Sequence, residues 1–260
     1  MQEKEKISLT FLGTGTSQGV PVIACDCKVC KSTDFKDNRL RSSLLINTKG
    51  LNLVIDAGPD FRQQMLFYQV QNLKAILLTH EHVDHIFGLD DIRSFNWKQK
   101  QPMDIFAEER VELAIRRIFD YVFAASRYPG IPRMNLHKIE NKKFQMEGIS
   151  IIPVRGLHHK LPVYGFRVGN MAYMTDLNYL PPEEKEKLKG LDVLIVNALR
   201  KEKHISHFNL KQAISLAEEL NPNRTFLTHI SHTMGFHNEV QKELPNNVFL
   251  AYDGLNIETN

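Results

Sequence analysis

The chain is poor in cysteine, short of net charge and without a long apolar run, and each shortage removes a class of protein. Its 260 residues hold three cysteines, packed as Cys25-Asp26-Cys27-Lys28-Val29-Cys30, and an odd number so close together cannot build a disulfide framework. Residues Met1 to Lys6 are charged and lack the apolar core of a secretory leader, so the thiols are expected in a reducing, cytoplasmic setting. No stretch reaches the roughly 18 apolar residues of a membrane-spanning helix. A formal charge of +3 is too small to announce a nucleic-acid groove, which would cluster Lys and Arg. Nucleic acid and membrane are therefore set aside as partners. The basic spots Arg39-Leu40-Arg41, Lys98-Gln99-Lys100 and Arg200-Lys201-Glu202-Lys203 read as solvated surface, with Arg39 and Arg41 the least bland because they precede a strand.

What the chain does have is a local excess of metal-ligand atoms. Thr79-His80-Glu81-His82-Val83-Asp84-His85 follows the apolar run Leu73 to Leu78, so the donors begin where a buried strand ends and a loop opens. Imidazole with carboxylate suits zinc, manganese or iron. His80 and His82 can point at one ion, and Asp84 and His85 on the next turn of chain can face a second. One short segment cannot complete two coordination shells, so further donors must come from later in the chain. His158 after the strand Ile149–Val154, Asp176 at the end of Met171-Ala172-Tyr173-Met174-Thr175, and His229 at the end of Thr225-Phe226-Leu227-Thr228 are the expected ones. An aspartate that shares its two oxygens between cations would hold the pair together.

The cysteines have the spacing of a second, structural zinc site, Cys25, Cys27 and Cys30, which needs a fourth donor to close a tetrahedron. His232, three residues after His229, is the expected one; His159 and His237 also stand open. Paired cations acidify a shared water and neutralise the phosphoryl oxygens it attacks. What remains is the departure of an alkoxide, which a general acid would assist. His207, just ahead of the amphipathic stretch Leu210 to Leu220, is assigned that role, with His204 as competitor; Asp84 and His207 are the two residues read as catalytic. The loop Gly13-Thr14-Gly15-Thr16-Ser17-Gln18-Gly19 is one residue too long for a dinucleotide fingerprint, and Pro21 and the cysteines follow it instead of a helix. It is expected to be a tight turn near the metals, offering backbone N–H groups to substrate.

The opening Phe11-Leu12-Gly13-Thr14-Gly15-Thr16-Ser17, the aspartate of Val54-Ile55-Asp56-Ala57-Gly58, the His-x-His-x-Asp-His segment and the later His158, Asp176 and His229 fall in an order that resembles the metallo-β-lactamase superfamily. The resemblance implies that His80, His82 and His158 hold one ion, that Asp84, His85 and His229 hold the other, and that Asp176 bridges them. Asp56 would orient the histidine-rich loop. Within the superfamily the early Cys-x-Cys-x-x-Cys with a late histidine looks like the phosphodiesterases of bacterial phosphonate breakdown, which open ribosyl cyclic phosphates. A homodimer is also implied. Where tRNA-processing ribonuclease Z carries His-Ser-Thr, this chain has His207-Phe208-Asn209.

Short strands are expected at Ile7–Leu12, Ser43–Asn47, Leu53–Ile55, Ala75–Leu78, Ile105–Ala107, Ile149–Val154, Tyr164–Val168, Met171–Met174, Val193–Val196, Arg224–Leu227 and Val248–Ala251. Helices are expected at Phe61–Val70, from Gly88, and at Glu108–Phe119, Pro182–Leu188, Leu210–Leu220 and His237–Leu244. The aromatics Phe119, Tyr121, Phe123 and Tyr128 read equally as core or lid. Two β-rich halves with outer helices predict a four-layer αββα sandwich, and with no linker no boundary is drawn within residues 1–260. The expected function is a dinuclear metal-dependent phosphodiesterase acting on a small, ribosyl cyclic phosphate-like ester. Its cofactors are two divalent ions, zinc or manganese, and one structural zinc. A tRNA 3′-processing ribonuclease and a thioesterase or lactonase stand as alternatives.

Overall fold

The computed structural model describes residues 6–125 and 129–260. The first half supplies β1 (Ser8–Gly13), β2 (Ser43–Thr48), β3 (Leu51–Ile55), β4 (Ala75–Leu77), β5 (Met103–Ala107) and β6 (Met134–Lys138). The second supplies β7 (Phe144–Met146), β8 (Ile149–His158), β9 (Leu161–Val168), β10 (Met171–Met174), β11 (Val193–Asn197), β12 (Arg224–Thr228) and β13 (Val248–Leu250), and the last strand, β14 (Asn256–Glu258), returns to the first sheet. The strand orders are β14-β1-β2-β3-β4-β5-β6 and β13-β12-β11-β10-β9-β8-β7. In each sheet one part is antiparallel and the other, β3 to β6 or β10 to β13, is parallel.

Strand periodicity explains the layering. Leu53 and Ile55 of β3, Ala75 and Leu77 of β4, Met171 and Tyr173 of β10, and Val193 and Ile195 of β11 face the space between the sheets. Their alternates Val54 and Ile76 face α1 (Phe61–Phe67), the helical run from Phe87 into α3 (Arg93–Gln99), α4 (Glu109–Ile118) and α5 (Asp120–Phe123). Ala172, Met174, Leu194 and Val196 face α6 (Pro182–Lys185), α7 (Leu210–Leu220) and α8 (His237–Gln241). A strand buried on both faces reads as an unbroken apolar run, which is why these strands were legible and the expected αββα sandwich is what forms. The short α2 (Val83–Ile86) belongs to the site.

Several elements differ from expectation. The strand expected at Ile149–Val154 continues past Gly156 to His158 and turns back through a tight hairpin that pairs His158 with Leu161. Strands β6, β7 and β14 were not foreseen; their residues are largely half-exposed and show no clean alternation. Phe119 and Val122 are buried in the outer core, whereas Tyr121 is exposed; Tyr128 lies outside the described residues. Among the described residues no helix is long and apolar enough to cross a membrane.

Candidate metal centres

The strand ends converge on one seam. β4 delivers Thr79 and His80, β8 ends on His158, β10 is followed by Asp176 and β12 by His229. His82 stands at the N-cap of α2, whose single turn carries Asp84 and His85. Donor atoms of His80, His82 and His158 lie within 4.8 Å of one another, as do those of Asp84, His85 and His229, and those of His80, His85 and Asp176. Asp56, Asp176 and His229 hold φ of 63°, 57° and 56°. Left-handed backbone is uncommon outside glycine and is tolerated best by Asn, Asp and His. Each residue thus turns the chain sharply off its strand end and into the seam. Close approach is also built in: a β-carbon on Gly58 would stand 2.0 Å from the Asp84 carbonyl oxygen.

The contacts among the inner atoms bring imidazole nitrogens up against carboxylate oxygens. His85 Nε2 lies 3.1 Å from Asp84 Oδ2 and 3.4 Å from Asp176 Oδ2, and His229 Nδ1 lies 3.2 Å from Asp176 Oδ2. Yet His85 Nε2 and His229 Nδ1 are buried without a hydrogen-bond partner. Ligand bonds of about 2.0–2.1 Å around a tetrahedral cation set neighbouring donors roughly 3.3 Å apart, so a shared cation accounts for both the spacing and the orphaned nitrogens.

The charges agree. Burial first, then the His85 charge, holds His80 well below the usual imidazole range; burial likewise lowers His82 and His229. All three are therefore neutral, the state with a lone pair to give. Burial opposes charge on Asp84 and Asp176 too, but the imidazoles beside them prevail and keep both ionised. His85 is driven well above its range, against its burial, by Asp56, Asp84 and Asp176. The positive charge those carboxylates draw to this point is what divalent cations would supply.

The outer atoms fix the inner ones. Asp56 Oδ2 accepts from His85 Nδ1 at 2.7 Å, and Asp56 also accepts from the Thr79 amide at 2.9 Å and from its hydroxyl. The Ser206 carbonyl accepts from His158 Nδ1 at 2.8 Å, leaving Nε2 for the site. Thr16 Oγ1 is 3.2 Å from His229 Nε2, and Asn197 grips both backbone groups of Leu177 beside Asp176. Asp56 was foreseen in this role; Thr16, Asn197 and the Ser206 carbonyl were not, since only folding brings them near. The loop from Gly13 makes the expected tight turn, its Gly19 amide donating to the Thr16 carbonyl, but the Gly15 and Thr16 amides are spent on the Leu40 and Ile230 carbonyls. It is the Thr16 side chain that reaches the site.

His207 is buried beside the cluster, its Nδ1 3.7 Å from Asp176 Oδ1 and its ring centroid 4.6 Å from that of His158. Burial and then the neighbouring His229 push it down to about 3. His204 sits farther out, with Nδ1 turned to Ser206. His159, the residue after the ligand strand, is exposed.

The second cluster is also formed. Nδ1 of His232 lies 3.4, 3.3 and 3.5 Å from the sulfurs of Cys25, Cys27 and Cys30, close to the roughly 3.5 Å expected between sulfur and nitrogen on one zinc. The Cys30 amide donates to Cys27 Sγ and, with His232, lowers that thiol to about 6, while burial raises Cys30 to about 11. His237, the other open alternative, is committed elsewhere, 3.2 Å from Arg39. This corrects the reading of Arg39 as solvated surface: it is 5% exposed and donates to Thr14 Oγ1 and the Ala251 carbonyl. Arg41 pairs with Asp60 at 2.9 Å.

Comparison with known proteins agrees with this geometry. The β-lactamase superfamily domain matches residues 51–230. A crystal structure of a diphosphatase from the PhnP family superposes with a TM-score of 0.91 at 39% identity and covers 97% of both chains. The octanoyltransferase of Porphyromonas gingivalis is 41% identical over 248 residues, which are 94% of this chain and 50% of that protein. Ribonuclease Z of Geobacillus kaustophilus is 30% identical over 168 residues, 62% of this chain and 48% of that protein. The chain thus spans about half the length of these two curated relatives. On the match across residues 51–230 and the PhnP-family likeness over nearly its whole length, the chain belongs to the metallo-β-lactamase superfamily, in its PhnP branch, and is a metal-dependent hydrolase.

Proposed function

We propose that the chain is a dinuclear phosphodiesterase that hydrolyses a small phosphate ester of the ribosyl cyclic phosphate kind. In this reading His80, His82 and His158 would hold one divalent cation, zinc or manganese, Asp84, His85 and His229 would hold the other, and Asp176 would serve both. Such a pair supplies Lewis acidity: it acidifies water and neutralises phosphoryl charge. The single observation that carries the choice of ester is His207, buried against Asp176 and His158 at the rim of the cluster. A phosphodiester needs a proton at its departing alkoxide, and the His207 ring, neutral in the metal-free site, is placed to present its remaining ring N–H to that oxygen as negative charge develops on it. Asp56, Thr79 and Thr16 keep the ligand rings in orientation throughout, so little reorganisation accompanies the reaction. Cys25, Cys27, Cys30 and His232 hold a structural zinc and fit a reducing cytoplasm.

The low net charge favours a small molecule over nucleic acid. A second reading, hydrolysis of an acyl thioester, draws on the relative named octanoyltransferase, although that name covers a protein twice as long.

The test is a hydrolysis panel with manganese or zinc: an aryl phosphodiester, cyclic nucleotides, a ribosyl cyclic phosphate, a nucleoside diphosphate ester, precursor tRNA and an octanoyl thioester. Turnover is expected on the small phosphodiesters. Turnover confined to the thioester or to precursor tRNA overturns the assignment.

A further inference from the structure

We infer, on the dinuclear reading above, that Arg110 is a positioning residue for one cation position alone, the one lined by His80, His82 and His158. Arg110 lies in the first turn of α4, outside the ligand set. Its Nη1 donates to Glu81 Oε1 at 2.7 Å, and its Nη2 donates to the carbonyl of Pro162. Glu81 is the residue between His80 and His82. Pro162 pairs with Leu157 in the β8–β9 hairpin, one step from the His158–Leu161 pair that closes it. A single planar guanidinium therefore ties the loop carrying two imidazoles to the hairpin carrying the third, across the seam between the two halves. Because its donors form a rigid fork, it fixes angle as well as distance.

Neighbouring contacts reinforce the tie. The Tyr164 amide donates to the Thr79 carbonyl at 3.0 Å, Arg155 donates to the Tyr164 hydroxyl at 2.7 Å and to Glu108, and Glu108 lies 3.6 Å from Arg110. The other oxygen of Glu81 is buried without a hydrogen-bond partner, so losing Arg110 would leave a sequestered carboxylate unpaired between two ligand residues, and the loop would have to shift to hydrate it. The second cation position has different supports. His85 is held by Asp56 at 2.7 Å and His229 by Thr16 at 3.2 Å, on elements Arg110 does not touch.

Metal-free full-length protein is titrated with Mn²⁺, an ion the thiol cluster does not favour, and both binding steps are measured. In Arg110→Met one step should weaken by roughly 10- to 100-fold while the other is unchanged. The weakened step should be the one that His82→Ala abolishes, and the retained step the one that His229→Ala abolishes. Glu81→Gln should weaken the same step, and the double variant Arg110→Met with Glu81→Gln should be no worse than Arg110→Met. If Arg110→Met does not fold, Glu81→Gln is held to the same criterion. Two unchanged steps, equal loss of both, or loss of the His229 step overturns the role of Arg110. A wild-type protein that takes up fewer than two Mn²⁺ ions instead overturns the dinuclear reading, so the two failures are distinguishable.

Discussion

Two donor clusters share this chain, and they are built in opposite ways. The Cys25-Cys27-Cys30-His232 cluster is half-exposed, takes three of its four donors from six consecutive residues, and closes on itself. The histidine–aspartate cluster is deeply buried at His80, His85, Asp176 and His229 and draws donors from both sheets. His85, His229 and His158 there are braced from outside by Asp56 Oδ2, Thr16 Oγ1 and the Ser206 carbonyl. On the proposed function the difference follows from task. A structural site needs only a satisfied tetrahedron, whereas a reactive site must keep its donors in place while part of the coordination stays open to water and substrate.

The contrast can be broken by experiment. The largest effect is expected from Asp84→Ala, which should remove one ion from the buried cluster and lower turnover by about three orders of magnitude or more; elemental analysis that still finds the full pair would refute the ligand assignment. His207→Ala should leave metal content intact and reduce turnover on an aryl phosphodiester by about two orders of magnitude or more. Unaltered kcat removes His207 from the chemistry. Cys27→Ser should act in the reverse sense, lowering Tm by about 5–10 °C with little change in kcat. A protein that stays folded but loses activity would make the thiol cluster part of the reaction and erase the distinction.

The smallest effect concerns the buried Arg39–His237 contact. Burial, then Arg39, pushes His237 down from 6.5 to about 4, and neutral Nδ1 accepts from the Arg39 guanidinium. Between those values the unfolded chain binds the proton and the folded chain does not, so stability falls as pH drops from 6.5 towards 4. His237→Gln should make the decline in Tm across that interval shallower; an identical slope would show that His237 does not set it.

Particular residues show where sequence reading succeeds and stops. The His80 to His85 segment was legible because its donors are covalent neighbours, and the two-sided burial of β3, β4, β10 and β11 wrote itself as continuous apolar runs. Arg39 was misread because adjacent charges look like surface, and nothing local reveals that Thr14, Ala251 and His237 will surround it. The end of β8 was missed because Gly156 looks like a strand break, yet the hairpin pairing with β9 carries the strand through to His158. The edge strands β6, β7 and β14 left no period because their side chains are partly in water.

By itself, then, the sequence determined the fold class, the two donor segments and the residue types able to hold cations, since all of these rest on spacing along the chain and on alternation of apolar side chains. Only the tertiary structure decided which distant histidine faces which, that His232 rather than His159 or His237 meets the thiols, and that Asp56, Thr16, Asn197 and Arg110 brace what the loops display. Those choices depend on strand order and on turns at φ near 60° that aim Asp56, Asp176 and His229 into one seam, and such convergence is a property of the packed sheets rather than of any segment.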